Sequence, residues 1–485
     1  MRSLAGVVHL LGLVLVLFAA LFLLPIATAL YFHESALVAF VAGGAACLIA
    51  GLAIRATTVR FRTDLKPRDA YLLVTLTWVV LAAVATAPLL ALVPRMSFTR
   101  AFFETMSGLT TTGATVLTGL DAMPHAVILW RAALSWLGGM GIIVMAVAIL
   151  PLLGIGGMEM YRSETPGAVK DAKLTPRIAQ TAQLLWFVYA GLTAACAVAL
   201  RAAGMHWFDA LCHAFSALSL GAFSSHDANV GYFNSPLIEA LLVVFMLVGA
   251  MNFATHFVAL RKGEPDTYRR DPEAKWPLLW IGASCIGVSV HVWANHVYPS
   301  YATAFRYVSF NLVSIATSCG LVSTDYSRWP VFAPMWMLFL SCLCASSGSP
   351  GGGIKVFRVL VLLKQSIRER FSLVHPQAVA PLKIAGQPVL NRVVFSVLAF
   401  IFLYFITIVA LTFALLISGL DFTSAVSAII ACINNVGPGL GVVGPGGTYG
   451  TLNDFQLWMC TAAMMLGRVE IFTVLILFTP TFWRK

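Results

Sequence analysis

The residues with the most specific chemistry in this chain lie in four short segments, each placed between two long apolar segments. They are residues 110–115, 219–223, 317–321 and 434–438, and they combine glycine with small, hydroxyl-bearing or amide-bearing residues. Backbone carbonyl oxygens presented by such segments replace the hydration shell of a cation. Glycine suits these segments because consecutive carbonyls face the same way only at backbone angles that most residues avoid. The four segments therefore predict one cation pore lined by a single chain.

The composition shows what kind of protein positions these segments. The chain has 485 residues, of which 59% are hydrophobic and 11% charged, so we predict a polytopic membrane protein and exclude a soluble one. The net charge of +11 comes from short basic loops and does not indicate a nucleic-acid partner. The nine cysteines lie mostly in apolar segments without metal-ligand spacing, which predicts reduced packing residues. Residues 4–32 are too long for a signal peptide and predict a first spanning helix.

About ten segments are long and apolar enough to span a bilayer. They are residues 4–32, 35–56, 70–94, 126–153, 182–203, 236–260, 276–298, 391–419 and 455–482, with an interrupted one at 330–363. The basic loops 55–68, 162–177, 261–275 and 364–392 all fall on one side, which predicts that this side and both termini are cytoplasmic. The last of these loops is longer than orientation alone requires, so docking of a regulatory partner is a second interpretation.

A repeating unit organises the spans. Four times a span is followed by a stretch too short and polar to cross, and then by another span; the stretches are residues 98–121, 206–227, 302–325 and 421–448. Repetition at this interval predicts an all-α membrane protein with four pseudo-repeats of helix, pore loop and helix around one pore. The predicted parts are an extra helical pair, 1–60, and the repeats 61–160, 161–262, 263–375 and 376–485.

Half-helices before the four segments should aim the partial negative charge of their C-terminal ends at the pore, which favours cations over anions. Glu104 and His213 occupy equivalent half-helix positions and are expected to make packing hydrogen bonds. On the outer side Asp121, Asp227 and Asp325 each follow a pore segment. They either concentrate cations at the mouth or are ordinary solvated loop carboxylates.

The interrupted span contains eight small residues, 346–353, which cannot hold a regular helix in mid-membrane. We predict a movable gate below the pore segments, and a static kink is the alternative. The predicted gate residues are Gly348, Ser349, Pro350, Gly351, Gly352 and Gly353. A phosphate loop is excluded at residues 351–355 because the G-x-x-x-x-G-K-[ST] spacing and a preceding strand are missing.

Arg468 lies near the middle of the last predicted span. A charge at that depth is costly and normally faces a cavity or a partner, so Arg468 is a functional candidate. A structural ion pair with another helix is the alternative. Glu470 should point away from it on the same helix.

The sequences TTTGAT at 110–115, SLGAFSSHD at 219–227 and SPGGGIK at 349–355 resemble, in this order and spacing, the Trk/Ktr/HKT superfamily of potassium transporters. The resemblance is greatest to the bacterial TrkH subunits and covers essentially the whole chain. It implies K⁺, sometimes Na⁺, as the transported ion, and no organic cofactor on this chain. It also implies a homodimer embedded in lipid of the bacterial inner membrane and a cytoplasmic nucleotide-binding partner of the TrkA type.

The same resemblance implies roles for individual residues. Arg468 would lie just below the filter and oppose cation passage. The K⁺ ligands would be the backbone carbonyls of Thr111, Thr112, Leu220, Gly221, Ser318, Cys319, Asn435 and Val436.

One filter position departs from the pattern. The filter glycines are Gly113, Gly320 and Gly437, but Ala222 stands at this position in the second repeat. Alanine in the same left-handed geometry would cost roughly 1–2 kcal/mol. Either this quarter of the pore is distorted, or discrimination of K⁺ from Na⁺ is less strict than with four glycines.

Two other classes of function compete with a channel-like pore. A Na⁺- or H⁺-coupled secondary transporter usually has inverted repeats, whereas all four units here begin on the cytoplasmic side. An intramembrane enzyme needs a catalytic motif, and the sequence has no H-E-x-x-H, no nucleophile with its base on facing spans and no paired membrane aspartates. We therefore predict a protein that is not an enzyme.

Overall fold

The computed structural model describes residues 2–61, 67–149, 178–264, 266–378 and 380–484. This part of the chain is almost entirely helical, as predicted, with one small hairpin of β1 (Lys383–Ile384) and β2 (Gln387–Pro388). The basic loop predicted at 162–177 and the boundary between the first two repeats lie outside the described residues. Six helices in the described part are long and apolar enough to cross a membrane, and two sharply bent pairs raise that number to eight.

An N-terminal helical pair precedes the repeats. It consists of α1 (Arg2–Ala19), its continuation α2 (Leu23–Tyr31) and α3 (Leu37–Thr58). Phe22 and Phe40 pack on the ring of Trp130 from the first repeat, with ring centroids 4.5 and 5.8 Å apart. The pair is therefore attached to the outside of the repeat structure.

Four units of the same design follow, each a long helix, a short pore helix and a second long helix or helix pair. The first is α4 (Pro67–Leu92), α5 (Phe98–Leu109) and α6 (His125–Ile149); the second is α7 (Ile178–Ala202), α8 (Trp207–Ser219), α9 (Pro236–Ala250) and α10 (Phe253–Lys262). After α11 (Asp266–Arg270), the third is α12 (Pro272–Ala294), α13 (Tyr301–Ala316), α14 (Phe332–Ser341) and α15 (Val356–Val374). The fourth is α16 (Asn391–Ile417), α17 (Phe422–Ile433), α18 (Asp454–Arg468) and α19 (Ile471–Leu475), before α20 (Pro480–Trp483).

Each pore helix begins at a residue whose side chain accepts a hydrogen bond from the first turn. Ser97, Ser300 and Asp421 accept from the backbone N–H groups of Arg100, Thr303 and Ser424, and His206 does so in the second unit. Serine and aspartate are preferred at this position because they satisfy an N–H group that has no partner inside the helix. The caps fix where each pore helix starts.

Two predicted spans are not straight, which corrects the prediction for residues 236–260 and 455–482. The chain bends by 96° between α9 and α10 and by 114° between α18 and α19. At the first bend Met251 is extended and Asn252 caps the new helix by accepting from Ala254 N–H at 2.9 Å. At the second, Glu470 has a left-handed backbone with φ of +65°. Both bends follow apolar segments, so the hydrophobicity of the sequence did not predict them.

In each unit a glycine on the second helix, or in the interruption of that helix in the third unit, lets the chain approach the end of a pore helix. A methyl group on Gly138 would lie 1.8 Å from the carbonyl oxygen of Leu109, and one on Gly467 would lie 1.9 Å from that of Ile433. The corresponding distances are 3.2 Å from Gly249 to Ala217 and 3.1 Å from Gly351 to Thr317. These contacts hold the four pore helices around a common axis.

Candidate functional site: a pore built from four segments

All four pore helices end in the same backbone conformation, at residues that sequence analysis did not single out for it. Thr111, Leu220, Ser318 and Asn435 have left-handed φ values of +58°, +56°, +63° and +53°. The next N–H group donates to the carbonyl five residues earlier, at 2.8 to 2.9 Å: Thr112 to Ser107, Gly221 to Ser216, Cys319 to Ser314 and Val436 to Ala431. This arrangement is a Schellman motif, normally made with glycine. A left-handed non-glycine residue costs about 1–2 kcal/mol, and such strain clusters at functional sites.

The residues that follow bring the four segments together. Gly113, Gly320 and Gly437 are left-handed, with φ of +73°, +78° and +98°, whereas Ala222 lies outside that region. A methyl group built on any of these glycines would lie 2.4 to 3.0 Å from the Cβ of Ala222. The four positions therefore converge, and the Ala222 methyl group stands where they meet. The second quarter departs from the backbone of the other three, so alanine avoids the left-handed strain.

Three side-chain oxygens at the left-handed positions are buried without a hydrogen-bond partner in the described part of the chain: Thr111 Oγ1, Ser318 Oγ and Asn435 Oδ1. Leu220 takes the same position in the second unit. A methyl group on Gly352 would lie 3.0 Å from Asn435 Oδ1, and one on Gly351 would lie 3.3 Å from Leu220 Cδ1. Both side chains therefore face the interrupted helix. Buried oxygens without partners are costly, so each such group calls for a ligand or ordered water.

The opening above the filter is lined by all four units, including Gly113, Ala222, Gly320 and Gly437. At its edge His226 Nδ1 lies 2.5 Å from Asp121, and Nε2 lies 3.4 Å from Asp209. Burial lowers the pKa of His226, but the hydrogen bonds to Asp209 and Asp121 outweigh it and hold this pKa above its ordinary value. The hydrogen bond from His226 lowers the pKa of Asp121.

The three outer aspartates therefore have different surroundings. Asp121 contacts His226, and Asp227 accepts from Gly119 N–H at 3.0 Å. Asp325 instead pairs with Arg328 at 3.1 Å. Two acids thus belong to one cluster between the first and second units, and the third lies in a separate ion pair.

The interrupted helix lies directly beneath the filter, and it contains all six predicted gate residues. A methyl group on Gly352 would lie 2.1 Å from the carbonyl oxygen of Asn434. The segment is anchored at one side because Ser347 N–H donates to the buried Glu273 carboxylate at 2.6 Å. Lys355 lies at its other end and donates to the carbonyls of Ser349 and Gly351. These hydrogen bonds hold both ends of the segment, whose middle lies against the end of the fourth pore helix.

Arg468 connects this segment to the first unit. Its guanidinium donates to the carbonyls of Pro350, Gly138 and Gly139, the last two at 2.7 and 3.2 Å. The side chain is buried, and no carboxylate in the described ranges forms an ion pair with it. Within the described residues Arg468 therefore does not form the structural ion pair that was the alternative. Glu470, beyond the bend, pairs instead with Arg358 at 2.6 Å.

The profile of the TrkH family, described as a cation transport protein, matches residues 36–485. The chain belongs to the TrkH family. It is 45% identical, over 99% of both chains, to the Trk system potassium uptake protein TrkH of Vibrio parahaemolyticus. It is 41% identical, again over 99% of both, to the protein of that name from Escherichia coli K12. The crystal structure of the potassium transporter TrkH from Vibrio parahaemolyticus covers 99% of the chain with a TM-score of 0.89 and 43% identity.

One buried group of this TrkH-family chain was missed by sequence analysis. Arg131 lies in α6 and pairs with Glu104 of the first pore helix at 2.8 Å. A charge inside an apolar span was the criterion that selected Arg468, and applied to residues 125–149 it would also have selected Arg131.

Proposed function

We propose that this protein takes up potassium ions across the cytoplasmic membrane of a bacterium through a channel-like pore. A dehydrated K⁺ ion would be held by carbonyl oxygens of Thr111, Thr112, Leu220, Gly221, Ser318, Cys319, Asn435 and Val436. The relatives at 41–45% identity carry the name potassium uptake protein. Their activity is transport, and we infer the same for this chain.

The observation that carries the proposal is the fourfold repetition of one strained backbone motif. Four non-glycine residues hold left-handed conformations at the ends of four pore helices. The C-terminal ends of those helices meet at the convergence point, where their partial negative charge favours a cation. Three of the four left-handed residues, Thr111, Ser318 and Asn435, also carry a buried side-chain oxygen without a partner among the described residues, and such oxygens are commonly satisfied by a ligand or ordered water.

The gate proposed beneath this filter is the segment Gly348, Ser349, Pro350, Gly351, Gly352 and Gly353, and Arg468 supplies a positive barrier. Burial of Gly352 against the Asn434 carbonyl supports occlusion at this level. Withdrawal of the segment would break the Arg468 contact with Pro350 and open the path.

The proposed assembly is a homodimer in lipid, with both termini cytoplasmic and a nucleotide-binding regulatory subunit of the TrkA type. The name Trk system given to the relatives supports a multi-component system. Exposed residues of α15 and the segment after it, including Arg370, would offer the subunit a basic docking surface. We place the unit boundaries after residues 60, 160, 262 and 375, and we propose no organic cofactor on this chain.

The test is cation flux into proteoliposomes that contain the purified protein alone, with K⁺, Rb⁺, Na⁺ and Li⁺ compared under an imposed potential. Passive flux that favours K⁺ and Rb⁺ is expected. Equal Na⁺ flux would mean that the quarter of the filter around Ala222 does not discriminate. Absence of flux for every cation, also after addition of the regulatory subunit, would contradict the proposal.

Coupled transport is the second candidate, since discontinuous helices are typical of secondary transporters. The bends of 96° and 114° and the interrupted helix favour it. Dependence of K⁺ flux on a proton or sodium gradient, at constant membrane potential, distinguishes this candidate from passive conduction.

A further inference from the structure

The strongest unexplained feature outside the ion path is the ion pair of Glu104 and Arg131, which is buried beside the filter. Both residues are only 1% exposed. Breaking a buried pair is costly because it leaves an uncompensated charge. Such a pair resists change of geometry, so whatever it contacts is held in place.

Its contacts are the outer ends of two filter segments. Glu104 accepts from Val116 N–H at 2.9 Å and from Thr115 Oγ1 at 2.8 Å, both just beyond Gly113. Arg131 donates to Thr115 Oγ1 at 3.1 Å and to the Ser224 carbonyl at 3.4 Å. The pair thus connects the first segment to the second.

The second segment is also held through its aromatic residue. The Arg131 guanidinium carbon lies 4.1 Å from the centroid of the Phe223 ring. Phe223 follows Ala222, whose methyl group stands where the four segments converge. A shift of Arg131 would therefore move the part of the filter that already departs from the other three quarters.

Equivalent supports in the other units are uncharged or weaker. The residues nine positions before Gly113, Ala222, Gly320 and Gly437 are Glu104, His213, Asn311 and Ala428, respectively. His213 Nε2 contacts Ser224 Oγ at 3.0 Å, and Asn311 Nδ2 donates to Ser323 Oγ at 2.9 Å. In the fourth unit Ser427, one residue earlier, accepts from Leu440 N–H at 2.8 Å. Among these described supports, only the first unit uses an ion pair.

We propose that Glu104 and Arg131 are positioning residues that fix the spacing of the first and second filter segments and thereby set the selectivity of the pore among monovalent cations. This inference rests on the pore function proposed above. Selectivity in a carbonyl-lined filter depends on the size of the cavity and on the arrangement of its carbonyl dipoles. A fully satisfied buried polar network rigidifies the segments that it contacts, so it bears on both.

The test compares Glu104→Gln, Arg131→Met and the double variant in proteoliposomes, with the K⁺-to-Na⁺ flux ratio and thermal stability as readouts. The single variants should lose stability, and the double variant should regain part of it because no buried charge is left unpaired. All three should lower the flux ratio about 5-fold or more, equivalent to roughly 1 kcal/mol of discrimination. Thr115→Val, which removes only the shared hydroxyl, should lower the ratio in the same direction and keeps the test available if the charge variants do not fold.

The matched control is the pair of Arg306 and Glu239, which lie 2.7 Å apart and join α13 to α9. In the described part of the chain neither residue forms a hydrogen bond to a filter segment. Arg306→Met with Glu239→Gln should change stability but not the ratio. The proposal is overturned if the stable double variant or Thr115→Val keeps the wild-type ratio, if the control pair changes it equally, or if the wild-type ratio is itself near one. Wild-type protein without any cation flux would instead contradict the pore function.

Discussion

At the scale of single residues, the filter depends on which positions can take a left-handed backbone and which have room for a side chain. Thr111, Leu220, Ser318 and Asn435 take this conformation although they carry side chains. The surrounding helices must supply the stabilisation, since local preference opposes it. Two residues further along the chain, the filter position is glycine in three units and Ala222 in the second.

Gly113 and Gly119 provide a matched pair of substitutions, since their φ values are +73° and +74°. Alanine at either site has the same backbone strain of about 1–2 kcal/mol. At Gly113 the methyl group would also lie 2.3 Å from the Ala222 nitrogen, whereas at Gly119 it would have no neighbour within 4 Å in the described ranges. We expect Gly113→Ala to abolish K⁺ flux and Gly119→Ala to retain most of it. Equal loss in both would mean that strain, not convergence of the filter, limits transport.

External pH should change K⁺ entry through His226, whose pKa the contacts with Asp209 and Asp121 hold above the ordinary 6.5. As pH rises through this raised value, His226 loses its proton and the mouth gains net negative charge. A unit positive charge about 8 Å from an entering K⁺ ion in water repels it by roughly 0.5 kcal/mol. Loss of this charge should therefore raise K⁺ flux about 2-fold. The stabilising contact with the acids is complete below 6.5 and is lost over the same rise in pH.

The measurement is K⁺ flux and thermal stability between about pH 5.5 and 8.5 for the wild type and His226→Gln. The variant should show no step in either quantity. A wild-type step that persists in the variant would assign the pH dependence to another group.

At the scale of helices, discontinuity and close approach position the segment that we propose as the gate. The small residues at 346–353 predict that the second span of the third unit is interrupted. In the structure this interruption lies against the carbonyl groups of Asn434 and Thr317. The bend after Arg468 then turns the chain away, which leaves Arg468 facing the segment and Glu470 facing Arg358.

Arg468→Ala should raise the K⁺ flux of the purified protein about 10- to 30-fold, because a unit charge at roughly 8 Å and an effective dielectric constant of 20 contributes about 2 kcal/mol. The measurement is initial flux in proteoliposomes without a regulatory subunit. The substitution Arg468→Lys keeps the positive charge but removes the planar guanidinium that donates hydrogen bonds to several carbonyls at once. Low flux in the lysine variant would identify charge as the barrier, and high flux would identify the tether to Pro350. Unchanged flux in the alanine variant would contradict the barrier.

Alanine substitutions at Gly467 and Gly191 distinguish the effect of helix packing on stability from the effect of helix propensity. A methyl group on Gly467 would lie 1.9 Å from the Ile433 carbonyl oxygen, whereas one on Gly191 would have no described residue within 4 Å. Gly467→Ala should destabilise the protein by about 1–3 kcal/mol through overpacking. Gly191→Ala should stabilise α7 by roughly 0.5–1 kcal/mol. Thermal unfolding in detergent measures both, and equal shifts would show that the α18 contact with the pore helix is not tight.

At the scale of the whole molecule, one chain supplies four unequal quarters of a pore. Unequal quarters permit features that four identical subunits could not have, such as a single Ala222, the gate proposed in the third unit and the Glu104–Arg131 ion pair of the first unit. Each cysteine is free and all but Cys342, which is half-buried, are fully buried. The native cysteines should therefore react little with thiol reagents, which leaves a low background when introduced cysteines are labelled.

Orientation can be tested with two such cysteines on exposed positions, Arg370 near the end of α15 and Thr451 before α18. A membrane-impermeant maleimide should label Thr451→Cys in intact cells and Arg370→Cys only after permeabilisation. The reason is that an odd number of membrane crossings separates the two positions, and basic loops stay cytoplasmic. The reverse pattern would invert the proposed topology.

The sequence by itself determined the membrane class, the four repeated units, the positions of the pore segments and the interruption at 346–353. Apolar length, glycine and loop charge are local signals, and each of these features depends on them alone. Only the tertiary structure decided that Thr111, Leu220, Ser318 and Asn435 are left-handed, since contacts with distant helices outweigh local preference there. It also decided the bends at Met251 and Glu470, and it joined Arg131 to Glu104 and Arg468 to Pro350. Those pairs join residues 27 and 118 positions apart, and no short-range pattern specifies which buried charge meets which partner.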